Sequence, residues 1–254
     1  MRKLAILIIL ISSTPVFSME FRWGRIDETK KGELPRKEVI YMSGEIRYGD
    51  FDRFRAFLLE NFNIYVGSQR LVTISSNGGD LVEAMKIARL IKEMYAEVRV
   101  FETCASACFT LYVSAVERIS FGRIGIHRPY FDRRYFGGLR PPQAEKRQLE
   151  LTKAFNLFLE ANYVPRNLID RMNETSSNEI YWLNEKEIND LGNYSNWFEE
   201  FLLAKCKRAP GILEGIDLLL YDEKEYRKYS DCKEKAILPE LNGQLKTILT
   251  TGKL

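Results

Sequence analysis

The chain has 254 residues, 45% of them hydrophobic, with 38 lysines and arginines against 35 aspartates and glutamates and a single histidine. That length and apolar content can bury a full core, which excludes a disordered chain of low hydrophobicity and high charge. With Arg2 and Lys3 set aside, basic residues exceed acidic ones by one, which is no electrostatic footprint for nucleic acid.

Taken in order, the chain opens with Arg2-Lys3, an apolar run from Leu4 to Ile11, and Val16-Phe17-Ser18. This is the layout of a secretory signal, so residues 1–18 are expected to be removed and the protein exported, periplasmic or secreted. The apolar run is short for a bilayer span; an uncleaved N-terminal anchor is the alternative. Residues 19–37 are polar and charged and read as an extended lead-in. A main domain is expected over 38–194, with a first strand at Glu38 to Met42. Asp50 then offers an N-cap for a helix carrying Phe51, Phe54, Phe57, Leu58 and Phe62 at helical spacing.

Leu71 to Ser75 reads as a β-branched strand running into Ser76-Asn77-Gly78-Gly79-Asp80. An amphipathic helix follows, with Leu81, Ala84, Ile87, Ala88 and Ile91 on one face. Val98 to Phe101 predicts another strand, and Phe109 to Val116 an apolar helix. Arg118 to Phe121 and Ile124 to His127 predict two short strands. After a loop rich in Arg, Tyr, Phe and Gly (Pro129 to Pro142), helices are expected from Pro142 to Asn162 and from Pro165. Tyr181 to Leu183 reads as a strand, and Asn184 caps a last helix stopped by Gly192. From residue 195 to 254 the strand–helix alternation ends, and this segment reads as a small C-terminal appendage.

Export makes the four cysteines legible as disulfides rather than as redox thiols or metal ligands. Cys104 and Cys108 stand four apart, which on a helix places their Cα atoms about 6 Å apart. Cys206 and Cys232 are then left to close the C-terminal segment, although four cysteines allow three pairings and sequence does not choose among them. Zinc sites use tighter thiolate spacing with more histidine, so no metal is expected.

Three features point to chemistry. Ser106 sits among small residues where a strand meets a helix. His127 is the sole histidine and therefore the sole imidazole able to activate it. Gly78-Gly79, between a strand and a helix N-terminus, is a place where N–H groups face an anion. The chain carries no Walker pattern and no GxGxxG, so the anion is read as an oxyanion rather than a nucleotide phosphate.

Together these pieces resemble the ClpP/crotonase fold, and within it the serine peptidases typified by the Clp proteolytic subunit and signal peptide peptidase A. The resemblance rests on Ile74-Ser75-Ser76-Asn77-Gly78-Gly79, Ala105-Ser106-Ala107, Gly125-Ile126-His127-Arg128-Pro129 and Trp182-Leu183-Asn184-Glu185. It covers roughly 39–191 and is nearest to exported ClpP-like proteins with a Cys-x-Ser-x-Cys segment. It implies an α/β spiral of ββα units with Ser106 as nucleophile and His127 as base. Gly78, Gly79 and Ala107 would supply oxyanion donors.

The implied reaction is hydrolysis of a peptide bond in a peptide or unstructured polypeptide, without cofactor or ATPase partner. A homo-oligomer is implied as well. Two positions depart from the family pattern. Asn77 stands where proline is usual, and the aspartate expected before Trp182 is missing; Asn178 or Glu179 could orient the imidazole in its stead, with Asn178 taken as candidate third member. The alternative is a non-catalytic module that holds an extended peptide in the same cleft. An acyl-CoA enzyme of the crotonase type fits the fold but not the compartment. A Cys104–Cys108 bond would brace the turn at Ser106, as a staple or as a redox switch.

Overall fold

The computed structural model describes residues 18–26, 37–67, 70–207 and 223–254. Of the expected signal segment only Ser18 falls within these, and residues 27–36 of the expected lead-in lie outside them. The described residues form an α/β fold built on a seven-stranded mixed sheet in the order β1-β2-β3-β4-β6-β7, with β5 also paired to β4.

The strands are β1 (Glu20–Ile26), β2 (Lys37–Ser43), β3 (Leu71–Ser76), β4 (Glu97–Ala105), β5 (Glu117–Ser120), β6 (Arg123–Ile126) and β7 (Tyr181–Trp182). β2, β3, β4, β5 and β6 pair in parallel, while β1 and β7 run antiparallel at the edges. β4 serves two partners in succession. Its Glu97 to Val100 half pairs with β5, and its Thr103 to Ala105 end pairs with β6.

β1 corrects the reading of residues 19–37 as a lead-in. Phe21 and Trp23 alternate with Glu20 and Arg22, a strand period that the charged residues obscure. The two rings pack on α1 (Asp50–Glu60), with Phe21 4.9 Å from Phe54 and Trp23 5.9 Å from Phe57. Asp50 also differs from expectation. Gly49, at φ 92°, is the N-cap, and Asp50 is the first helical residue. Its carboxylate accepts the Arg47 N–H (2.7 Å) and pairs with Arg53 (2.6 Å).

The remaining described α-helices are α2 (Phe62–Val66), α3 (Leu81–Glu93), α4 (Cys108–Ser114), α5 (Pro141–Ala161), α6 (Arg166–Glu174), α7 (Glu185–Asp190), α8 (Asn196–Cys206), α9 (Glu223–Glu240) and α10 (Lys246–Thr251). α3 follows its sequence pattern, burying Ala84, Ile87, Ala88 and Ile91. Asp80 caps it by accepting the Glu83 N–H at 2.8 Å. Asn184 and Glu187 form a reciprocal capping box at α7. No described helix is long and apolar enough to cross a membrane.

The segment after residue 195 is more than an attachment. Phe198, Leu202, Ile237, Leu241, Leu245 and Leu249 belong to the same buried cluster as the sheet residues. α9 docks through charge as well. Lys233 Nζ lies 2.7 Å from Glu117 Oε1, and Glu234 pairs with the buried Arg70. Burial works against the Lys233 ammonium, but Glu117 and Glu97 outweigh it and hold it above the ordinary lysine range. Cys206–Cys232 links α8 to α9, with Cα atoms 5.6 Å apart.

Arg118 on β5 is fully buried and meets carbonyls instead of a carboxylate. It donates to Val113 O (2.7 Å) at the end of α4 and to Gly192 O (3.0 Å) and Leu191 O just after α7. A cation at helix C-termini answers both their unpaired carbonyls and their dipoles. Arg118→Met is therefore expected to strip three carbonyls of their donor and cost about 3 kcal/mol. The shift of the urea unfolding midpoint measures it.

Candidate active site

Three turns at the carboxyl ends of parallel strands converge on one cleft, where open α/β sheets commonly place ligands. They follow β3, β4 and β6 and carry Gly78-Gly79, Ser106 and His127.

Ser106 is the apex of the turn between β4 and α4, at φ 58°. For a residue with a Cβ this left-handed conformation is uncommon and must be imposed by its surroundings. Its N–H donates to Gly125 O (2.9 Å), and its carbonyl accepts the Phe109 N–H (3.0 Å). Cys104 and Cys108 are joined by a disulfide across the turn, their Cα atoms 5.2 Å apart. Their backbone differs from the helical spacing considered above, because Cys104 lies in β4 and only Cys108 is helical.

Gly78 has φ 99°, and a Cβ there would stand 2.6 Å from Ser106 Cβ and 2.9 Å from the Ala107 nitrogen. Only a bare Cα allows that approach. Its N–H is committed to Ser76 Oγ (3.1 Å), so Gly78 supplies proximity rather than the oxyanion donor expected of it. Gly79 is held by a parallel bridge to Ile46, whose N–H donates to Gly78 O and whose carbonyl accepts the Asp80 N–H, both at 2.8 Å. The N–H groups of Gly79 and Ala107 have no partner among the described residues, and both residues line the cleft.

His127 is partly buried and lines the same cleft. Its Nδ1 lies 2.8 Å from the carbonyl oxygen of Arg128, the next residue. Among the described residues no hydrogen bond joins Ser106 Oγ to the imidazole. Such bonds are often long in unliganded enzymes and tighten with substrate.

Asn178 is not brought to the site. It is exposed, its N–H donates to Ser176 Oγ (3.4 Å), and it does not line the cleft. A turn closed by Glu179 N–H to Ser176 O (3.0 Å) sets it apart, and Ser177 lines the cleft in its place. The β6–β7 register consists of Gly125–Trp182 and Ile126–Tyr181, and His127 and Ile180 are the next residues beyond it on the two segments.

The cleft encloses about 720 Å³. Part of its lining is apolar, from Ile46, Leu81, Phe155 and Met172, and the rim is charged. The loop after His127 docks at that rim. Arg134 reaches Asp80 Oδ2 and Asp132 Oδ1, each at 3.0 Å, with its guanidinium 4.7 Å from the centre of the Tyr48 ring. Hydrogen bonds from Arg134 hold the Asp132 carboxyl below the usual carboxylate range. Burial and the neighbouring Asp80 push the Tyr135 hydroxyl up to about 12. Composition marks this loop in the sequence, whereas its latch to Asp80 joins residues far apart along the chain and leaves no local pattern. No group of three or more histidine, cysteine or acidic residues able to hold a metal occurs among the described residues.

No family model matches the chain, and no curated protein matches it. Among solved structures it is similar to ClpP1 from Listeria monocytogenes, at 21% identity and a TM-score of 0.43. It is also similar to a single-substitution mutant of that ClpP1, at 22% identity and a TM-score of 0.44. Each match covers 61% of this chain and 86% of the other.

Two outcomes are expected of this geometry. Gly78→Ala meets both a positive φ and a 2.6 Å approach to Ser106; it should cost about 2 kcal/mol or more and displace Ser106, read by chemical denaturation and serine labelling. Cys104 and Cys108 are fully buried, while Cys206 and Cys232 are partly accessible. Mild reductant on the folded protein should therefore expose Cys206 and Cys232 to alkylation first, as mass spectrometry would show. Early alkylation of Cys104 would instead favour a redox switch.

Proposed function

We propose that this protein is a serine hydrolase that cleaves peptide bonds through an acyl-enzyme on Ser106, with His127 as general base. The observation that carries the reading is the convergence of a strained serine, the sole imidazole and two unpartnered N–H groups on one cleft. As Ser106 Oγ bonds to the scissile carbonyl carbon, its proton passes to His127 Nε2. The π pair moves onto the carbonyl oxygen, where the Gly79 and Ala107 N–H groups receive the charge. That pair then re-forms the carbonyl and the C–N bond breaks. The leaving amine takes the proton from Nε2 and leaves an ester on Ser106. Water repeats the sequence: it gives a proton to Nε2 and its oxygen to the acyl carbon, and the ester bond breaks with the proton returned to Oγ.

The substrate in this reading is a peptide or unstructured polypeptide in extended form, and no ATPase is required. Its support is the combination of apolar lining and charged rim, together with the sequence resemblance. Export belongs to the same proposal, supported by the two disulfides, as does assembly of identical chains.

One observation favours the non-catalytic alternative, a module that only holds peptides: no carboxylate stands behind His127 among the described residues. Fluorophosphonate labelling of the purified, oxidised protein decides between them. The expected result is labelling at Ser106 that Ser106→Ala abolishes and His127→Ala reduces by about 100-fold or more. A folded protein that takes no label but binds extended peptides would be the module.

A further inference from the structure

The group that orients His127 follows from the chemistry of its one hydrogen bond among the described residues. A backbone carbonyl oxygen can only accept a hydrogen bond. The nitrogen 2.8 Å from Arg128 O must therefore carry the ring proton, and that nitrogen is Nδ1. In a neutral imidazole the proton on Nδ1 leaves Nε2 with its lone pair free, which is the form a general base needs. Arg128 itself is anchored, its N–H donating to Thr175 O at 3.0 Å.

No side chain among the described residues supplies this contact. Glu45, Asp80 and Asp132 share the cleft with His127, but Asp80 and Asp132 are engaged by Arg134 and Glu45 by Arg47. Asn178 lies outside the cleft lining. Ile180, the residue just before β7 and next to the last β6–β7 pair, Ile126–Tyr181, has no acceptor. A Cβ on Gly125, two residues before His127, would lie 2.5 Å from Ile180 Cγ2. Ile180 thus packs on the face of β6 that Gly125 leaves open, next to the point where the chain leaves β6 for His127.

We propose that the Arg128 main-chain carbonyl is the positioning group for His127, and that Ile180 fills the place from which a side-chain acceptor would serve it. The protein then works as a Ser106–His127 dyad. This rests on the hydrolase reading for its consequence but not for its geometry. A carbonyl fixes tautomer and ring direction as an aspartate does. It lacks the full negative charge that stabilises the imidazolium formed during attack, so nucleophile activation is weaker than a triad would give.

The lone histidine makes the test direct, because a histidine-labelled sample has one imidazole to observe. Nitrogen NMR of the neutral ring is expected to show Nδ1 protonated and Nε2 bare; an Nε2–H tautomer would overturn the proposal. This readout holds whether or not the protein hydrolyses anything, so it fails separately from the functional reading. Ile180 is 41% exposed, which makes Ile180→Asp tolerable to the fold.

That variant should raise the His127 titration midpoint by about one pH unit or more and speed fluorophosphonate labelling about tenfold or more. Ile180→Val and Asn178→Ala should change neither. An unmoved midpoint in folded Ile180→Asp would refute the placement of Ile180. A raised midpoint without faster labelling would refute the claim that the missing charge limits reactivity. A change in either measure on Asn178→Ala would return Asn178 to the site.

Discussion

The close approach of the Gly78 backbone to the turn at Ser106 is the constraint on which the site depends. Ser106 can hold φ 58° only while its neighbours give it no alternative. The Cys104–Cys108 bond closes the turn from within, Gly125 O holds its N–H, and Gly78 packs against its Cβ. Each constraint comes from a different strand end: β4, β6 and β3. The parallel sheet sets these ends side by side, so the site's geometry follows from the register of three strands. Ile46 extends the arrangement by bridging Gly79, which ties the β2–α1 loop to the same backbone.

Charge organises the periphery in a way that burial alone would not. Arg118 gathers the ends of α4 and α7, so the helix that begins just after Ser106 is fastened at its far end. Lys233 and Glu117 join α9 to β5. The loop after His127 is drawn to the first residue beyond Gly79 by Arg134 and Asp80. These contacts link the C-terminal helices and the rim loop to the elements that carry Ser106 and Gly79.

Much of this was legible in the sequence because it rests on period and local chemistry. The α3 face, the β3 and β6 strands, the Asn184 cap and the small residues around Ser106 all follow from local pattern. β1 was missed because its inward Phe21 and Trp23 are separated by charges that pair or stack outward, Arg22 lying 4.7 Å over the Tyr41 ring. The tail after residue 195 read as separate because its apolar residues recur on helices without strands between them, although they enter the same core. Gly78 and Asn178 show a different limit. Which N–H is free, and which residue faces a histidine, depend on hydrogen-bond partners and cross-strand register. A carbonyl acceptor such as Arg128 O leaves no mark on the amino-acid sequence at all.

Ser106, Gly79 and Ala107 are proposed to form one acyl-transfer site, and a crystal structure of the protein treated with a peptide aldehyde would reveal it. The expected adduct has a covalent bond from Ser106 Oγ to the former carbonyl carbon, with the hemiacetal oxygen about 2.7–3.1 Å from both the Gly79 and Ala107 nitrogens. A peptide bound in the cleft without a bond to Ser106, or an adduct whose oxygen turns to solvent, would contradict it.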